Sequence, residues 1–447
     1  MRQPSQPSCL NHEWFSQAKY GLFIHFGLYS LLGGHWQGKE IPGLAEWIRH
    51  YGKIPRQTYR ALAQNFDPRA LDPRALVSWA KDQSFRYLCL TAKHHEGFAL
   101  FKSQASSFNS VEASPCGRDL VAEFANACRE EGLVFCLYYS QAQDWDHPYG
   151  LEAYTDQSGK DFSIYFKEKC LPQVEELLTG YGPIGMIWFD TPLNMSREQA
   201  QKLRQLVKTC QPACLINGRI GHGLGDYMTC QDRRLPAQSL TVPWELPATL
   251  NTSWGYRASD QQWRTPLEVS RELLTVFSRG GNELLNIGPD GQGRIPSGAR
   301  ACLEKVGDWL NQVQASIYGT DAIASYVYES PELRFTHRPH HLYIHVLEPA
   351  RFSGEEIPLP NIKNQVLEST WLNHGEACHL RVGKTLEGDP YWGLFLPEKN
   401  RQSACSHGGY LYGRSVFSPG KSGLIRPVGF PGFEDDLSVH CRMIWTR

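Results

Sequence analysis

Gly185-Met186-Ile187-Trp188-Phe189-Asp190 is a short apolar run that ends on an acid. Four apolar residues between a glycine and a carboxylate read as a buried strand, too short for a helix. A second run, Tyr87-Leu88-Cys89-Leu90-Thr91-Ala92-Lys93, ends on His94-His95 in the same manner. Strands that carry reactive side chains at their C-terminal tips are the mark of a parallel barrel. Working outward, the candidate strands are residues 20–26, 87–92, 134–139, 186–189, 213–216, 227–230, 250–254 and 283–287. Amphipathic helices lie between several of them. Leu120, Val121, Phe124, Ala125 and Cys128 share one helical face, with Gly132 placed as a C-terminal cap. Cys302, Val306, Trp309, Leu310 and Val313 repeat the spacing later.

Alternating strands and helices predict an α/β fold with a parallel sheet, and eight such strands predict a TIM-like (β/α)8 barrel. The segments joining the fifth, sixth and seventh strands carry Gly, Pro and Arg without helical spacing, so an irregular barrel is expected there. After Tyr318-Gly319-Thr320 the pattern changes. Short runs at 341–346, 365–367 and 380–382, separated by Pro, Gly and Asn, predict a C-terminal β-sandwich of structural role. The expected domains are therefore 1–320 and 321–447.

The 447 residues carry a net charge of -1, which gives no electrostatic argument for a nucleic-acid or membrane partner. Hydrophobic content of 41% is ordinary for a folded protein, but 13 Trp and 20 Tyr are many. They serve either large cores or stacking against sugar rings. Among 13 Cys there is no CxxC pair, and Cys210 and Cys214 lack His partners at zinc spacing. Cys89, Cys128 and Cys136 sit in apolar runs, as buried reduced thiols do. Met1–Pro7 lacks the apolar core of a leader, and no run is long enough to span a membrane, so a cytoplasmic location is expected.

Asp190 has two readings: a cap for the following helix, or a functional carboxylate desolvated by Trp188-Phe189. His94 and His95 reach one site only if the chain turns after the strand, which Gly97 permits. Glu46-Trp47, Tyr138-Tyr139-Ser140, Asp144-Trp145, Trp244-Glu245 and Ser253-Trp254 repeat a polar and aromatic pairing near strand ends. Each alone reads as structural; together they suit a polar, carbohydrate-like ligand. Glycoside hydrolysis uses two carboxylates, a nucleophile and an acid/base. Asp190 is the nucleophile candidate. Asp226, Asp232 and Glu245 are the candidates for the acid, and spacing does not choose among them.

These motifs resemble the α-L-fucosidases of glycoside hydrolase family 29, from about Trp14 to Tyr318. The matching pieces are Lys19-Tyr20-Gly21-Leu22-Phe23-Ile24-His25-Phe26-Gly27, Ala45-Glu46-Trp47, Lys93-His94-His95-Glu96-Gly97-Phe98 and Arg118-Asp119-Leu120-Val121. Tyr138-Tyr139-Ser140, Trp188-Phe189-Asp190, Asn217-Gly218-Arg219, Trp244-Glu245, Ser253-Trp254-Gly255-Tyr256 and Leu284-Leu285-Asn286-Ile287-Gly288-Pro289 follow in order. The resemblance implies a retaining hydrolase of fucosylated glycans with Asp190 as nucleophile. It implies fucose contacts from His25, Glu46, Trp47, His94, His95, Tyr138, Trp188, Arg219 and Trp254, the last facing the sugar's methyl group. For the acid/base it points to Asp232, after Gly225-Asp226-Tyr227-Met228-Thr229-Cys230-Gln231. Glu245 is the runner-up, and otherwise a sugar-binding residue. Two other classes fit parts of the chain. One is a non-catalytic carbohydrate-binding protein on the same scaffold. The other is a metallohydrolase using His25, His94 and His95. Retention of Asp190 speaks against the first. No known metal spacing supports the second, so no metal or other cofactor is expected. The oligomeric state is left open.

Overall fold

The computed structural model describes residues 13–236, 240–323, 332–352, 356–359, 366–373, 375–385, 388–396 and 439–445. The N-terminal segment 1–7 and Gln365 of a predicted strand lie outside them. Packing divides the chain into two compact units, Met1–Asn311 and Gln312–Arg447.

The first unit is built on eight parallel strands: β1 (Tyr20–Ile24), β2 (Tyr87–Lys93), β3 (Val134–Tyr139), β4 (Met186–Phe189), β5 (Leu215–Ile216), β6 (Met228–Thr229), β7 (Trp244–Thr249) and β8 (Asn282–Ile287). They pair in the order β5-β4-β3-β2-β1-β8-β7-β6, so β1 and β8 are neighbours and the sheet curls as in a TIM-like barrel. The seam lies between the short strands β5 and β6. There Asp226 substitutes for a ladder: its N–H donates to Ile216 O at 2.7 Å, and its Oδ2 accepts from Ile216 N at 2.9 Å. As the sequence indicated, among the described residues no α-helix joins β5 to β6 or β6 to β7, and only a 3-10 turn, Gly218–Ile220, intervenes. The predicted helices form as Leu120–Glu131, capped by Gly132 at φ +79°, and Ser297–Val313.

Strand side chains alternate, so every second residue fills the barrel. Phe23, Cys89, Tyr138, Trp188 and Leu284 are buried together in this interior. Gly21 is required on that face: a Cβ there would meet the Tyr87 ring at 2.2 Å.

The seventh strand corrects the sequence reading. It spans Trp244–Thr249, not 250–254. Glu245 and Pro247 disguise it, since a charge and a proline argue against a central strand. Pro247 is tolerated because β6 has already ended beside it; its carbonyl accepts instead from Arg233 N at 2.9 Å. Residues 250–254 form the turn beyond the strand, pinned by Asp260 Oδ2 on Thr252 N at 2.9 Å.

The described residues of the second unit form two antiparallel sheets. Strands Asp321–Ala322, Leu333–Arg338, His341–Val346, Val439–Trp445 and Val366–Trp371 pair in that order. Strands Ile357–Leu359, Pro390–Phe395 and His379–Lys384 make the other sheet. Phe335, Ile344, Trp371 and Met443 from the first sheet pack with Ile357, Leu359 and Leu394 from the second, the common core of a sandwich. Among the described residues no helix is long and apolar enough to cross a membrane.

Candidate active site

Two residues beyond Phe23 on β1 is His25, and two beyond Trp188 on β4 is Asp190. The two-residue period therefore carries both onto the inner face at the C-terminal rim. There they line a cavity of about 170 Å3. Tyr138 and Trp188 close it below, with rings stacked at 5.7 Å. Of the other predicted residues, Glu46, Trp47, His94, His95, Arg219, Asp232 and Trp254 also line it.

His94 and His95 share the site because the ladder between β2 and β3 shifts register between Thr91 and Lys93. The chain then turns at Gly97, φ +85°. Glu46 sits in a 3-10 turn, Ala45–Trp47, and is fully buried. Its Oε2 accepts from Ser253 Oγ at 3.1 Å and Gly255 N at 2.9 Å. Burial raises its pKa despite these bonds. Its Oε1 and the Nδ1 of His94 are buried with no hydrogen-bond partner. Unpaired buried polar atoms are rare, and two lining one cavity point to a polar ligand.

The histidines are set as acceptors. His25 Nδ1 bonds Asn286 Oδ1 at 2.6 Å, and the Asn286 amide is oriented by donating Nδ2–H to Trp254 O at 2.7 Å. Nδ1 therefore carries the proton and Nε2 the lone pair. His95 is arranged alike: Ser140 Oγ donates to Gln143 O at 2.8 Å and accepts from His95 Nδ1 at 2.7 Å. Burial lowers the pKa of His25 to about 3 and that of His95 well below its usual value. Both rings are held neutral, each with an Nε2 lone pair that suits a hydroxyl donor.

Asp190 is held at both carboxylate oxygens and at its backbone N–H. Arg219 Nη1 donates to Oδ1 at 3.0 Å, Tyr138 O–H donates to Oδ2 at 3.0 Å, and the backbone N–H donates to Gln141 Oε1 at 2.7 Å. His95 Nε2 stands 3.7 Å from Oδ2. The tip of β4 is fixed by Asn217, which exchanges two bonds with the Phe189 backbone at 2.8 and 2.9 Å. The second guanidinium nitrogen of Arg219 pairs with Asp232. Burial opposes the arginine's charge, but Asp190 and Asp232 outweigh it and hold its pKa above the usual range. The guanidinium also lies 4.8 Å over the Trp188 ring.

Glu245 departs from the sequence expectation of a sugar contact. It is the second residue of β7, near the strand's N-terminal end, so it is buried deep below the rim. Tyr87 O–H donates to Oε1 at 2.7 Å; Trp188 Nε1–H and Tyr227 O–H donate to Oε2 at 2.8 and 3.1 Å. It does not line the cavity. The third candidate acid, Asp226, is paired with Arg204 at 2.9 Å and Lys208 at 2.8 Å, away from the cavity. Asp144 is likewise buried between Lys93 at 3.1 Å and Lys169 at 2.7 Å. Among the described residues no group of three His, Cys, Asp or Glu is placed to hold a metal ion.

Sequence reasoning missed Phe23, Leu44, Tyr51, Tyr154 and Thr191, which also line the cavity. Tyr51 had a signal, lying four residues after Trp47 at helical spacing. Tyr154 had none, being in an irregular loop.

A parallel barrel with a cationically bridged pair of carboxylates over an aromatic floor defines a glycoside hydrolase of the (β/α)8 class. Comparison with known proteins narrows this. The profile of the α-L-fucosidase family matches residues 3–314. An α-L-fucosidase of Dictyostelium discoideum is 31% identical over 338 residues, covering 69% of this chain and 71% of that protein. The α-L-fucosidase structure from Vibrio sp. strain EJY3 superposes with a TM-score of 0.82 at 28% identity, over 97% of this chain and 72% of that one. The Lactobacillus casei α-L-fucosidase AlfC, with α-L-fucose product, gives 0.64 at 38% identity over 68% of this chain and all (100%) of its own. The chain belongs to the α-L-fucosidase family, the glycoside hydrolases of family 29 that cleave α-L-fucosides.

Proposed function

We propose that the chain is a retaining exo-α-L-fucosidase that releases terminal fucose from glycans through a covalent fucosyl-enzyme. The observation that carries this reading is the bridging of Asp190 and Asp232 by one guanidinium. Carboxyls this close suit the short separation of retaining enzymes, about 5–5.5 Å, where no room is left for a water between acid and nucleophile. Asp190, bonded to Arg219 and Tyr138 and set at the inner end of the cavity, attacks the anomeric carbon. Asp232, partly exposed, protonates the departing glycosidic oxygen. It then takes a proton from the water that opens the ester. Glu46 and the neutral His25, His94 and His95 receive the ring hydroxyls. Phe23 and Trp254 supply an apolar face for the methyl of the 6-deoxy sugar. The small cavity, closed below by aromatic layers, favours a chain end over an internal residue. AlfC has been solved as an aspartate-to-alanine variant with 4-nitrophenyl-α-L-fucopyranoside and with Fucα(1,6)GlcNAc, which supports a fucosylated glycan as substrate here.

The test is proton NMR of the first sugar released. Retention gives α-L-fucose before mutarotation; β-L-fucose first would refute the mechanism. Asp190→Ala is expected to abolish turnover of 4-nitrophenyl α-L-fucoside. Asp232→Ala is expected to turn over the activated fucoside slowly and to recover with azide, giving α-fucosyl azide. A fully active Asp232→Ala would remove that residue from the reaction.

A further inference from the structure

We propose that Tyr154, together with Tyr51 and His50, forms a subsite for the saccharide that carries the fucose, taken by stacking on a pyranose ring. The inference rests on the hydrolase reading above and deepens it to the leaving-group side.

Trp47 is the starting point. On its inner side it meets His95 edge-on, ring centres 5.1 Å apart. Outward, it stacks on Tyr51 at 6.2 Å, meets His50 at 5.7 Å and Tyr154 at 6.0 Å. The aromatic surface of the cavity therefore continues past its mouth. Tyr154 lines the cavity and is yet 88% exposed; Tyr51 is 41% exposed. Large aromatic faces left in water beside a site are binding surfaces more often than accidents.

The rim is also held in place. Tyr154 has φ +62°, a left-handed conformation that strains a residue with a bulky side chain. The strain is locked by its neighbour but one. Glu152 pairs with Arg49 at 3.1 Å and with His50 at 3.3 Å, tying the loop to the helix Ile48–Tyr51 that bears Tyr51. Asp232 also lines the cavity and is partly exposed at its mouth. The oxygen it protonates belongs to the leaving sugar, so that sugar sits at the mouth and within reach of the aromatic rim. An apolar pyranose face against an aromatic ring is the contact this geometry offers.

The experiment compares two substrates on wild type, Tyr154→Phe and Tyr154→Ala. α-L-Fucosyl fluoride has a single-atom leaving group that cannot touch the rim. Fucα(1,6)GlcNAc and its α1,2, α1,3 and α1,4 counterparts place a sugar there. Tyr154→Ala should lower kcat/KM on the best disaccharide about tenfold more than on the fluoride. Tyr154→Phe, which keeps the ring, should stay within about twofold on both. Undiminished disaccharide cleavage by Tyr154→Ala would overturn the subsite. So would a parallel loss on the fluoride, or a wild type that cleaves the fluoride and none of the disaccharides. Failure of the hydrolase reading is separately visible as a wild type that releases no fluoride.

Discussion

The indole N–H of Trp188 donates to Glu245 Oε2 at 2.8 Å, so the floor of the fucose cavity hangs from a carboxylate with no access to solvent. Tyr87 and Tyr227 donate to the same carboxylate, and Trp188 in turn carries the Arg219 guanidinium on its face. Glu245 thus supports the Arg219 end of the cavity through Trp188. Glu245→Ala would orphan the indole N–H and open a cavity, a loss of about 2–5 kcal/mol. We expect a lower denaturation midpoint and reduced kcat on fucosyl fluoride. Glu245→Gln can still accept from Trp188 and should keep most of the activity. Equal activity in Glu245→Ala and wild type would show that the indole needs no anchor.

The same carboxyl makes stability depend on pH. Burial, against three hydrogen bonds, raises its pKa from 4.5 to about 7. Between those values the folded state binds the extra proton, so stability is full below about pH 4.5 and declines as pH rises through 7. His25 has the opposite sense. Its pKa falls from 6.5 to about 3, so its contribution is full above 6.5 and is lost as pH drops toward 3. Urea unfolding across pH 4.5–8 should show Glu245→Gln gaining on wild type with rising pH, by up to about 3 kcal/mol. A constant difference would place the Glu245 proton elsewhere.

Tyr138 O–H is one of two side-chain donors to the Asp190 carboxylate, at 3.0 Å. A hydrogen bond to a charged group contributes about 1.5–3 kcal/mol. Tyr138→Phe should therefore lower kcat/KM on fucosyl fluoride about 10- to 100-fold while leaving the fold intact. Unchanged turnover would mean that Arg219 alone orients Asp190.

Glu46 presents an unpaired, buried Oε1 to the cavity. L-Fucose should raise the Tm of the wild type by mass action. Glu46→Gln replaces a charged acceptor, and the Tm shift at equal fucose concentration should shrink clearly. An undiminished shift would put the sugar's hydroxyls on other partners.

Much of this was legible from local pattern. Apolar runs of four to seven residues marked the strands, and polar residues at their ends marked the rim. His25 and Asp190 could be placed inward because a strand alternates faces whatever surrounds it. The β-sandwich strand at His341–Val346 was likewise readable from its composition. The pattern failed where it was broken by need. Glu245 and Pro247 hid β7, and a carboxylate there makes sense only once three donors from β2, β4 and the residue before β6 surround it.

What the sequence determined by itself is thus periodic: where seven of the eight barrel strands lie, which ends are polar, and which family motifs they carry. The tertiary structure alone decided depth and partnership. It put Glu245 below the floor while Asp190 stands at the rim. It joined Asp190 to Asp232 through one arginine and brought Tyr154 beside Trp47 across more than a hundred residues. The reason is physical. Alternation and helical spacing are set by backbone geometry within a few residues, whereas ion pairs and ring contacts depend on where the closing barrel places segments distant in the chain.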